Sequence, residues 1–454
     1  MSTTISIINP STEAAISEVM MHDVAETDRF IERASQVAPS WRAVTPVDRA
    51  RLLRRFAEIV DGHVEELAQL EVANSGHTIT NARWEAGNVR DVLHYYAGAP
   101  ERHAGRQIPV AGGVDMTFYE PIGVVGIIVP WNFPMPILSW GVAPALAAGN
   151  AVVLKPASLT PLTALRIGEL SLEAGIPEGV LQVIAGEGAT VGERFVTNPH
   201  VGKICFTGSN IAGRRIMEGC AAQVKRLTLE LGGKSANIVF ADADLEKAAA
   251  MAPYAVFDNA GQDCCARSRL LVQATAYDRF MEHFETAVKR VKVIDPSDEA
   301  SEMGPLITAA QRETVRAYVD ESSVAFRGTA PRGPGFWYPP TVLDGTDRSA
   351  RSYCEEIFGP VVSVVRFDDE AEAIAIANDG PYGLSGSIWS RDIGRAIRTA
   401  RGVATGTLSI NSNSSVRYAT PFGGFKQSGL GRELGPDALR SFSEEKNVFI
   451  ATEE

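Results

Sequence analysis

The sequence has little of what a nucleic-acid-binding or membrane protein needs. Its 43 lysines and arginines are outnumbered by 55 aspartates and glutamates, which gives a formal net charge of −12. A phosphate backbone or an acidic membrane surface requires a basic stripe, so we expect neither as a partner. The most apolar stretch, residues 122–149, is interrupted by four prolines that a membrane-spanning helix would tolerate poorly.

Cysteine and histidine are also scarce. The chain has five cysteines and seven histidines, and they show no metal-ligand spacing, so no bound metal is expected. An odd number of cysteines suggests reduced thiols, one of which could be reactive. The first residues lack a basic segment followed by an apolar one, and we therefore expect no secretory signal and a cytoplasmic location.

The order of apolar segments predicts an α/β fold. A chain of 454 residues exceeds the size of one hydrophobic core, so at least two domains are expected. Short apolar runs alternate with helical patterns, which is typical of a parallel sheet covered by helices on both faces. The predicted strands are residues 123–128, 151–154, 180–184, 202–205, 237–240, 269–272, 361–367 and 385–389.

Two glycine-containing turns lie between a predicted strand and a helix, at residues 186–192 and 206–213. The backbone amides of such turns can bind a pyrophosphate. An ordinary strand-to-helix turn would have the same composition, so the first turn alone is weak evidence. Two such turns in succession strengthen the dinucleotide-binding interpretation.

Three further segments carry polar side chains beside strand ends. Glu230 closes an apolar strand before two glycines, Cys264 and Cys265 follow a turn, and Asn132 lies between Pro130 and Pro134. Taken one at a time, the bland interpretations are a solvated acid, inert core thiols and a rigid loop. The combination is more informative than any one segment.

Five motifs together, in this order, resemble the aldehyde dehydrogenase superfamily. They are Pro130-Trp131-Asn132-Phe133-Pro134, Glu230-Leu231-Gly232-Gly233-Lys234, Cys264 placed 34 residues after Glu230, Glu355-Glu356-Ile357-Phe358-Gly359-Pro360, and Pro421-Phe422-Gly423-Gly424-Phe425-Lys426. The resemblance extends from about residue 9 to about residue 448 and so covers nearly the whole chain.

The resemblance implies a mechanism. Cys264 would attack the aldehyde as a thiolate and form a thioester, while the Asn132 amide and the Cys264 backbone N–H would stabilise the oxyanion. Glu230 would activate the water that hydrolyses the thioester. Members that transfer the acyl group to coenzyme A typically lack this Glu, so an acid product is expected. Glu433 matches a second acid that relays protons.

The resemblance also implies an NAD(P) cofactor. The residues expected to contact it are Trp131, Lys155, Ser158, Gly188, Phe206, Gly208, Ser209, Leu231, Gly232, Glu356 and Phe358, although Phe358 could instead be core packing. Ser158 stands where NAD-preferring members have a ribose-binding Glu, so NADP stays open. NAD is favoured because no arginine stands nearby to bind a phosphate. Gly141 replaces a lysine that usually partners the relay acid, which puts the role of Glu433 in doubt.

Substrate choice is the least determined property. Spacing from the motifs places Trp84, Glu85, Asn88, Phe133, Trp140, Asp258, Asp263, Cys265 and Val416 around the substrate. Three acids there would suit a cationic aminoaldehyde. The alternative is that some of these acids face solvent or pair with Arg417, which leaves aliphatic and aromatic aldehydes open.

The implied architecture has three parts. Residues 1–102 and 122–231 would form a Rossmann-like cofactor domain, residues 232–432 a catalytic α/β domain, and residues 103–121 and 433–454 a β arm that adds to a neighbouring subunit. A homodimer or homotetramer is therefore expected. Two rival functions are a coenzyme A-acylating dehydrogenase and a silent NAD-binding homologue; the intact set of Asn132, Glu230 and Cys264 speaks against both.

Overall fold

The computed structural model describes residues 3–345, 347–414 and 416–452. Its strands in chain order are β1 (Thr3–Ile8), β2 (Ala15–Met21), β3 (Gln107–Val110), β4 (Gly113–Pro121), β5 (Val124–Ile128), β6 (Ala151–Lys155), β7 (Leu181–Val183), β8 (Val201–Thr207), β9 (Arg226–Glu230), β10 (Ala236–Val239), β11 (Arg269–Gln273), β12 (Val324–Arg327), β13 (Thr341–Leu343), β14 (Val361–Phe367), β15 (Ser385–Trp389), β16 (Thr407–Ile410), β17 (Gly429–Leu430) and β18 (Ser443–Ala451).

The α-helices lie between these strands and cover the sheets. They are α1 (Val24–Ala43), α2 (Pro46–Gly62), α3 (Val64–Ser75), α4 (Ile79–Ala97), α5 (Pro134–Ala148), α6 (Leu162–Glu173), α7 (Glu193–Thr197), α8 (Asn210–Ala221), α9 (Leu245–Val256), α10 (Tyr277–Arg290), α11 (Ala309–Asp320), α12 (Arg351–Cys354), α13 (Glu370–Asn378) and α14 (Ile393–Gly402). None of the described helices is long and apolar enough to cross a membrane.

Two mixed sheets with mostly parallel strands confirm the α/β prediction. The first has the order β17-β9-β8-β5-β6-β7, and the second has the order β12-β13-β14-β11-β10-β15-β16. In the first sheet only β17 runs antiparallel to its neighbour, and in the second only β12 does. Strands β5 and β6 are buried at every residue, as expected for strands covered on both faces.

The parallel order decides where functional side chains can meet. The carboxyl ends of β5, β6, β8 and β9 lie side by side, because Ile128 pairs with Lys155 and Thr207 pairs with Glu230. The loops that leave these ends are therefore neighbours, although they are far apart in sequence. Ligands of open α/β sheets bind at this edge.

Two smaller sheets are separate from the two mixed sheets. Strands β1 and β2 form a hairpin, and β18, β4 and β3 form a three-stranded sheet from the two segments predicted to be the arm. Strand β17 comes from the predicted catalytic segment but pairs with β9 of the first sheet, with Gly429 opposite Glu230. The division into domains stays a prediction.

Local sequence signals agree with the observed element ends. Thr45, Pro46 and Asp48 form the sequence pattern of a helix start, and in the structure the Thr45 side chain accepts a hydrogen bond from the Asp48 amide as Pro46 opens α2. Predicted strand 180–184 is shorter in the structure, at Leu181–Val183.

Candidate active site

The loop between β5 and α5 fixes Asn132 at the edge of the first sheet. Asn132 is buried, and its Nδ2 donates to the backbone oxygen of Gln262 at 3.0 Å. Thr160 holds the preceding residue through a bond from its hydroxyl to the Trp131 oxygen. The next turn is the start of α5, where Pro134 occupies the first position and needs no amide partner. The loop therefore presents a fixed side-chain amide.

The turn before Cys264 has an unusual backbone. Asn259, Ala260 and Gly261 have φ values of 49°, 53° and 69°, all in the left-handed region. Such residues cost on the order of 1 kcal/mol each unless they are glycine. Asn259 offsets this cost because its Nδ2 donates to the backbone oxygens of Asn132, at 2.8 Å, and of Gln262, at 3.2 Å.

Neither Asn259 nor Gln262 was singled out from the sequence. Gln262 is buried, accepts the Ile307 amide at 2.8 Å and donates to the Asn259 oxygen at 3.1 Å. The available signal was local: Asn and Gly are the residues that tolerate left-handed backbone, and they flank Ala260 here.

Cys264 lies where two cavities meet. The first cavity, of about 260 Å³, is lined by Pro130, Trp131, Asn132, Thr207, Gly208, Ser209, Glu230, Leu231, Gly232, Cys264, Glu356 and Phe358. The second cavity, of about 220 Å³, is lined by Trp84, Phe133, Pro136, Ile137, Trp140, Thr207, Tyr254, Ala255, Asp258, Asp263, Cys264, Cys265, Arg267, Asn413, Ser414, Val416 and Phe422. Cys264 and Thr207 belong to both.

Glu230 lies at the end of β9 in an environment that favours its neutral form. It is buried, and neither carboxylate oxygen has a hydrogen-bond partner of normal geometry among the described residues. Burial and the nearby Glu433 carboxyl raise the pKa of Glu230 well above its usual range. A carboxylate of this kind readily takes up a proton.

Glycines bring Glu230 and Cys264 to the same place. A side chain at Gly233 would place its Cβ 2.2 Å from the Cys264 backbone oxygen, and one at Gly423 would approach the Glu230 carboxylate to 2.6 Å. The Gly233 contact is with backbone and is shorter than a Cβ tolerates, and Gly423 has a φ of 152°, which other residues rarely adopt, so both positions favour glycine.

The Cys264 thiol is held in its protonated form. A hydrogen bond with the Cys265 side chain, followed by burial, raises the pKa of Cys264 well above its ordinary value. Cys265 is buried, and its amide donates to Asp263 Oδ1 at 2.8 Å. The nucleophilic thiolate therefore needs a proton acceptor nearby.

Glu433 is also buried, and its backbone pairs with Phe422 in both directions. Burial raises the pKa of Glu433 to about 7. At Gly141, where the resemblance led us to expect a lysine, an added Cβ would lie 2.9 Å from the Ile127 side chain. Any cation that acts on Glu433 must therefore come from another element.

The residues predicted to contact a cofactor fall into two groups. Seven of them line the first cavity: Trp131, Gly208, Ser209, Leu231, Gly232, Glu356 and Phe358. The other four, Lys155, Ser158, Gly188 and Phe206, are not part of its lining. Lys155 and Ser158 both donate to the backbone oxygen of Gly186, at 2.9 and 3.3 Å, so they mark the first glycine turn instead.

The lining of the first cavity has three kinds of group that are suited to binding parts of a dinucleotide. Ser209 caps α8, so the helix N-terminus with its free amides borders the cavity. Glu356 is anchored by the Gly233 amide at 2.9 Å, and a Cβ at Gly232 would lie only 2.4 Å from its carboxylate. Phe358, with a φ of 55°, meets the Trp131 ring edge to face at 5.2 Å. These groups offer an anion site, a ribose acceptor and an apolar wall.

The second cavity contains most of the predicted substrate residues. Trp84, Phe133, Trp140, Asp258, Asp263, Cys265 and Val416 line it. Asn88 lies behind Trp140 and accepts a hydrogen bond from its indole nitrogen at 3.4 Å. Asp258 accepts a hydrogen bond from the Asn81 side chain at 2.5 Å. Neither Asp258 nor Asp263 pairs with Arg417, whose side chain donates to the backbone oxygen of Ser414.

The prediction that Glu85 lines the substrate site is wrong. Glu85 is fully buried on the inner face of α4 and pairs with His77 Nδ1. One helical position turns a side chain by about 100°, so exposed Trp84 and buried Glu85 face opposite environments. Glu71 completes this buried cluster, held by the Thr163 hydroxyl at 2.6 Å.

Known proteins resemble this chain in sequence and fold over nearly its whole length. The sequence model of a family described as the aldehyde dehydrogenase family matches residues 1–448. The chain is 40% identical to an aldehyde dehydrogenase of Emericella nidulans (98% of this chain, 91% of that protein) and 40% identical to the betaine aldehyde dehydrogenase of Bacillus subtilis (98% and 94%). The crystal structure of betaine aldehyde dehydrogenase from Staphylococcus aureus with NAD+ superposes with a TM-score of 0.97 at 37% identity, covering 100% of this chain and 92% of that one.

The His77–Glu85 pair predicts a pH-dependent stability. The Glu85 charge raises the pKa of His77 to about 9 against the opposing effect of burial, the largest single influence. Burial raises the pKa of Glu85 to about 7, so both groups keep protons above the pH at which the unfolded chain releases them. Stability is therefore lost as pH rises, first through 7 and then through 9. We expect the free energy of unfolding, measured with urea, to fall by about 3 kcal/mol between pH 6.5 and 9.

The Glu85→Gln variant isolates this effect, because His77 then lacks its charged partner. We expect the variant to show a smaller loss over the same pH range, while His94→Gln, which changes an exposed histidine of α4, should follow the parent. Equal slopes for the parent and Glu85→Gln would contradict the assignment.

Proposed function

Because the chain belongs to the aldehyde dehydrogenase family, which oxidises aldehydes to carboxylic acids with NAD(P)+, we propose that Cys264, Asn132 and Glu230 carry out this reaction here. The observation that supports this assignment best is the position of Cys264, the thiol shared by both cavities. The second cavity would hold the aldehyde, and the first would hold the cofactor. Cys264 would then face both.

We propose that the first cavity and the adjoining glycine turn hold NAD. Lys155 would bind the adenosine ribose, Ser209 and the start of α8 the pyrophosphate, and Glu356 the nicotinamide ribose, with Phe358 against the nicotinamide side. When bound, NAD+ supplies the ring that accepts the hydride. Glu187 lies close enough to act on the charge of Lys155. A carboxylate there would repel the 2′-phosphate of NADP, which favours NAD.

Cys264 would form and release the covalent intermediate. Its sulfur bonds to the aldehyde carbon, and the Asn132 amide and the Cys264 backbone N–H stabilise the negative oxygen. The carbonyl then re-forms as the C–H bond breaks, the hydride would leave toward the nicotinamide ring held in the first cavity, and a thioester remains on Cys264. The raised pKa of the thiol means that its proton must be removed before attack, and Glu230 is the adjacent buried carboxylate.

Glu230 would also act in the second half of the reaction. It takes a proton from water as the water oxygen bonds to the thioester carbon and the C–S bond breaks. Glu433 would then accept the proton from Glu230. Since the Glu is present and buried beside Cys264, hydrolysis to the acid is favoured over transfer to coenzyme A.

We propose that the substrate is a cationic aldehyde with an apolar body. Two carboxylates, Asp258 and Asp263, line the second cavity, while Arg267 is the positive charge among its described lining residues. Exposed Trp84 and buried Trp140 offer aromatic faces that attract an ammonium group. Two of the similar proteins are named for betaine aldehyde, which carries a permanent positive charge.

We propose that the arm sheet is covered by a second copy of this chain. Six apolar side chains are exposed on this small sheet: Ile108, Val110, Phe118, Val448, Phe449 and Ile450. A three-stranded sheet with two open edges and apolar side chains is stable only when it is covered.

The five cysteines are all free, which supports a reducing, cytoplasmic location.

The catalytic roles predict distinct kinetic defects. Cys264→Ala should abolish aldehyde-dependent NAD+ reduction and leave NAD binding intact, whereas Cys265→Ala should be mild. Glu230→Gln should give one burst of NADH absorbance that rises more slowly than in the parent, because the thiol loses its nearby base. The burst should be followed by at least a hundredfold slower turnover, because the thioester accumulates.

Rapid-mixing absorbance at 340 nm distinguishes these outcomes. Normal turnover by Glu230→Gln would remove Glu230 from the mechanism, and activity in Cys264→Ala with loss in Cys265→Ala would reverse the assignment. Turnover that requires coenzyme A would indicate the acylating alternative, and silence across a broad aldehyde panel would indicate a homologue that only binds NAD.

The substrate proposal predicts an order of kcat/KM values. We expect 4-(trimethylammonio)butanal to exceed pentanal, and pentanal to exceed 4-oxobutanoate. Asp258→Asn should lower the preference for the cation over pentanal about tenfold through loss of one nearby charge. Asp320→Asn, an exposed acid at the end of α11, is the matched control. A preference for 4-oxobutanoate would contradict the proposal.

The arm proposal predicts that positive charges introduced on the arm sheet dissociate the oligomer. The double change Val448→Lys with Ile450→Lys places two ammonium groups on one face of β18, and light scattering should then report a monomer instead of a dimer or tetramer. Ile393→Lys, which changes an exposed apolar residue at the start of α14, should leave the mass unchanged. A monomeric parent protein would refute self-association.

A further inference from the structure

A row of polar side chains runs along one face of β8 and β9, inside the first sheet. The register pairs Lys203 with Arg226, Cys205 with Thr228, and Thr207 with Glu230. Alternate residues of a strand point to the same face, so these side chains share one side of the sheet. The row begins at Glu230 in the site and ends at Arg226, which pairs with Glu444 at the surface.

Lys203 is the unexplained member of this row. It is 1% exposed, its Nζ donates to Thr228 Oγ1 at 2.8 Å, and its ammonium lies 5.1 Å from the centre of the Phe442 ring. A buried ammonium costs several kcal/mol unless a negative charge compensates it. No carboxylate forms a direct ion pair with it within the described part of the chain.

The segment that carries Glu433 packs against the hydroxyl that holds this ammonium, since a Cβ at Gly431 would lie 3.4 Å from Thr228 Oγ1. Glu433 is 5% exposed, and its Oε2 has no hydrogen-bond partner among the described residues. Burial raises the pKa of Glu433, and the Lys203 charge opposes that rise. The other titratable groups whose pKa values respond to Glu433 are Glu230, Cys205 and Tyr96. Lys203 is the cation that acts on Glu433, while Arg432 acts on Glu230, and Gly141 offers no charge.

We propose that Lys203 is a positioning residue for thioester hydrolysis, because its ammonium holds the negative charge on Glu433 that lets Glu433 receive the proton from Glu230. This inference rests on the proposed roles of Glu230 and Glu433. The water oxygen bonds to the acyl carbon as the C–S bond breaks. The water proton moves to Glu230, then to Glu433, and finally to solvent, which restores Glu230 for the next turnover.

Hydrolysis of p-nitrophenyl acetate isolates this step, since the acetyl group is transferred to Cys264 without a hydride or a cofactor. The burst of p-nitrophenolate measures acylation, and the steady rate measures hydrolysis. We expect Lys203→Met to keep the burst amplitude and to slow the steady rate about tenfold at pH 7. The acidic limb in the pH profile of the steady rate should move to higher pH by roughly one to two units in Lys203→Met, because Glu433 then stays protonated to higher pH.

Three variants complete the test. Lys203→Arg should restore the steady rate and the acidic limb, since it keeps the charge. Lys225→Met removes a partly buried ammonium that, among the described residues, donates to the backbone oxygens of Phe195 and Asn198 alone, and it should behave as the parent. Glu433→Gln should slow hydrolysis and abolish the acidic limb that responds to Lys203.

The possible failures are distinguishable. A slow Glu433→Gln with a normal Lys203→Met would overturn the role of Lys203 and leave the relay in place. A normal rate in Glu433→Gln would reject the relay itself, and with it this inference. A lost burst in Lys203→Met that Lys203→Arg does not restore would show that Lys203 only supports the fold.

Discussion

The backbone oxygen of Gln262 is the contact on which the site depends. It accepts hydrogen bonds from the side chains of Asn132 and Asn259, which come from different parts of the chain. Asn132 lies in the loop that follows β5 of the first sheet. Asn259 belongs to the strained turn that precedes Cys264 and β11 of the second sheet. One acceptor therefore joins the two sheets at the point where an amide and a thiol must act on the same carbonyl group.

Buried ionisable groups are the second constraint on the site, because each of them must lose or share a proton at little cost. Glu230 and Glu433 lie close enough to raise the pKa of Glu230, so both cannot be ionised without cost. A shared proton relieves this repulsion and also suits a pair that passes protons between them. The Cys264 thiol shows the same logic, since its hydrogen bond with Cys265 stores the proton until a base removes it.

Sequence motifs predicted the parts of the site that depend on local order. The strands around residues 124–128 and 361–367 and the helix start at Thr45 follow from apolar patterning and capping. Family resemblance supplied Asn132, Glu230 and Cys264. Asn259 and Lys203 were missed, because their partners are more than 20 residues away and no spacing rule connects them. Glu85 was misplaced because a motif distance does not specify which face of α4 a residue occupies.

This contrast explains why the reaction is easier to infer than the substrate. The reacting groups lie at strand ends and glycine turns, where a side chain of another type would clash with backbone, as at Gly233 against Cys264. Such positions tolerate few sequences, so a motif identifies them. The second cavity is lined instead by faces of α4, α5 and α9 and by loops, where many side chains fit. Its preference is set by the sum of a few charges and aromatic faces, a quantity that depends on side-chain direction and must be read from the folded chain.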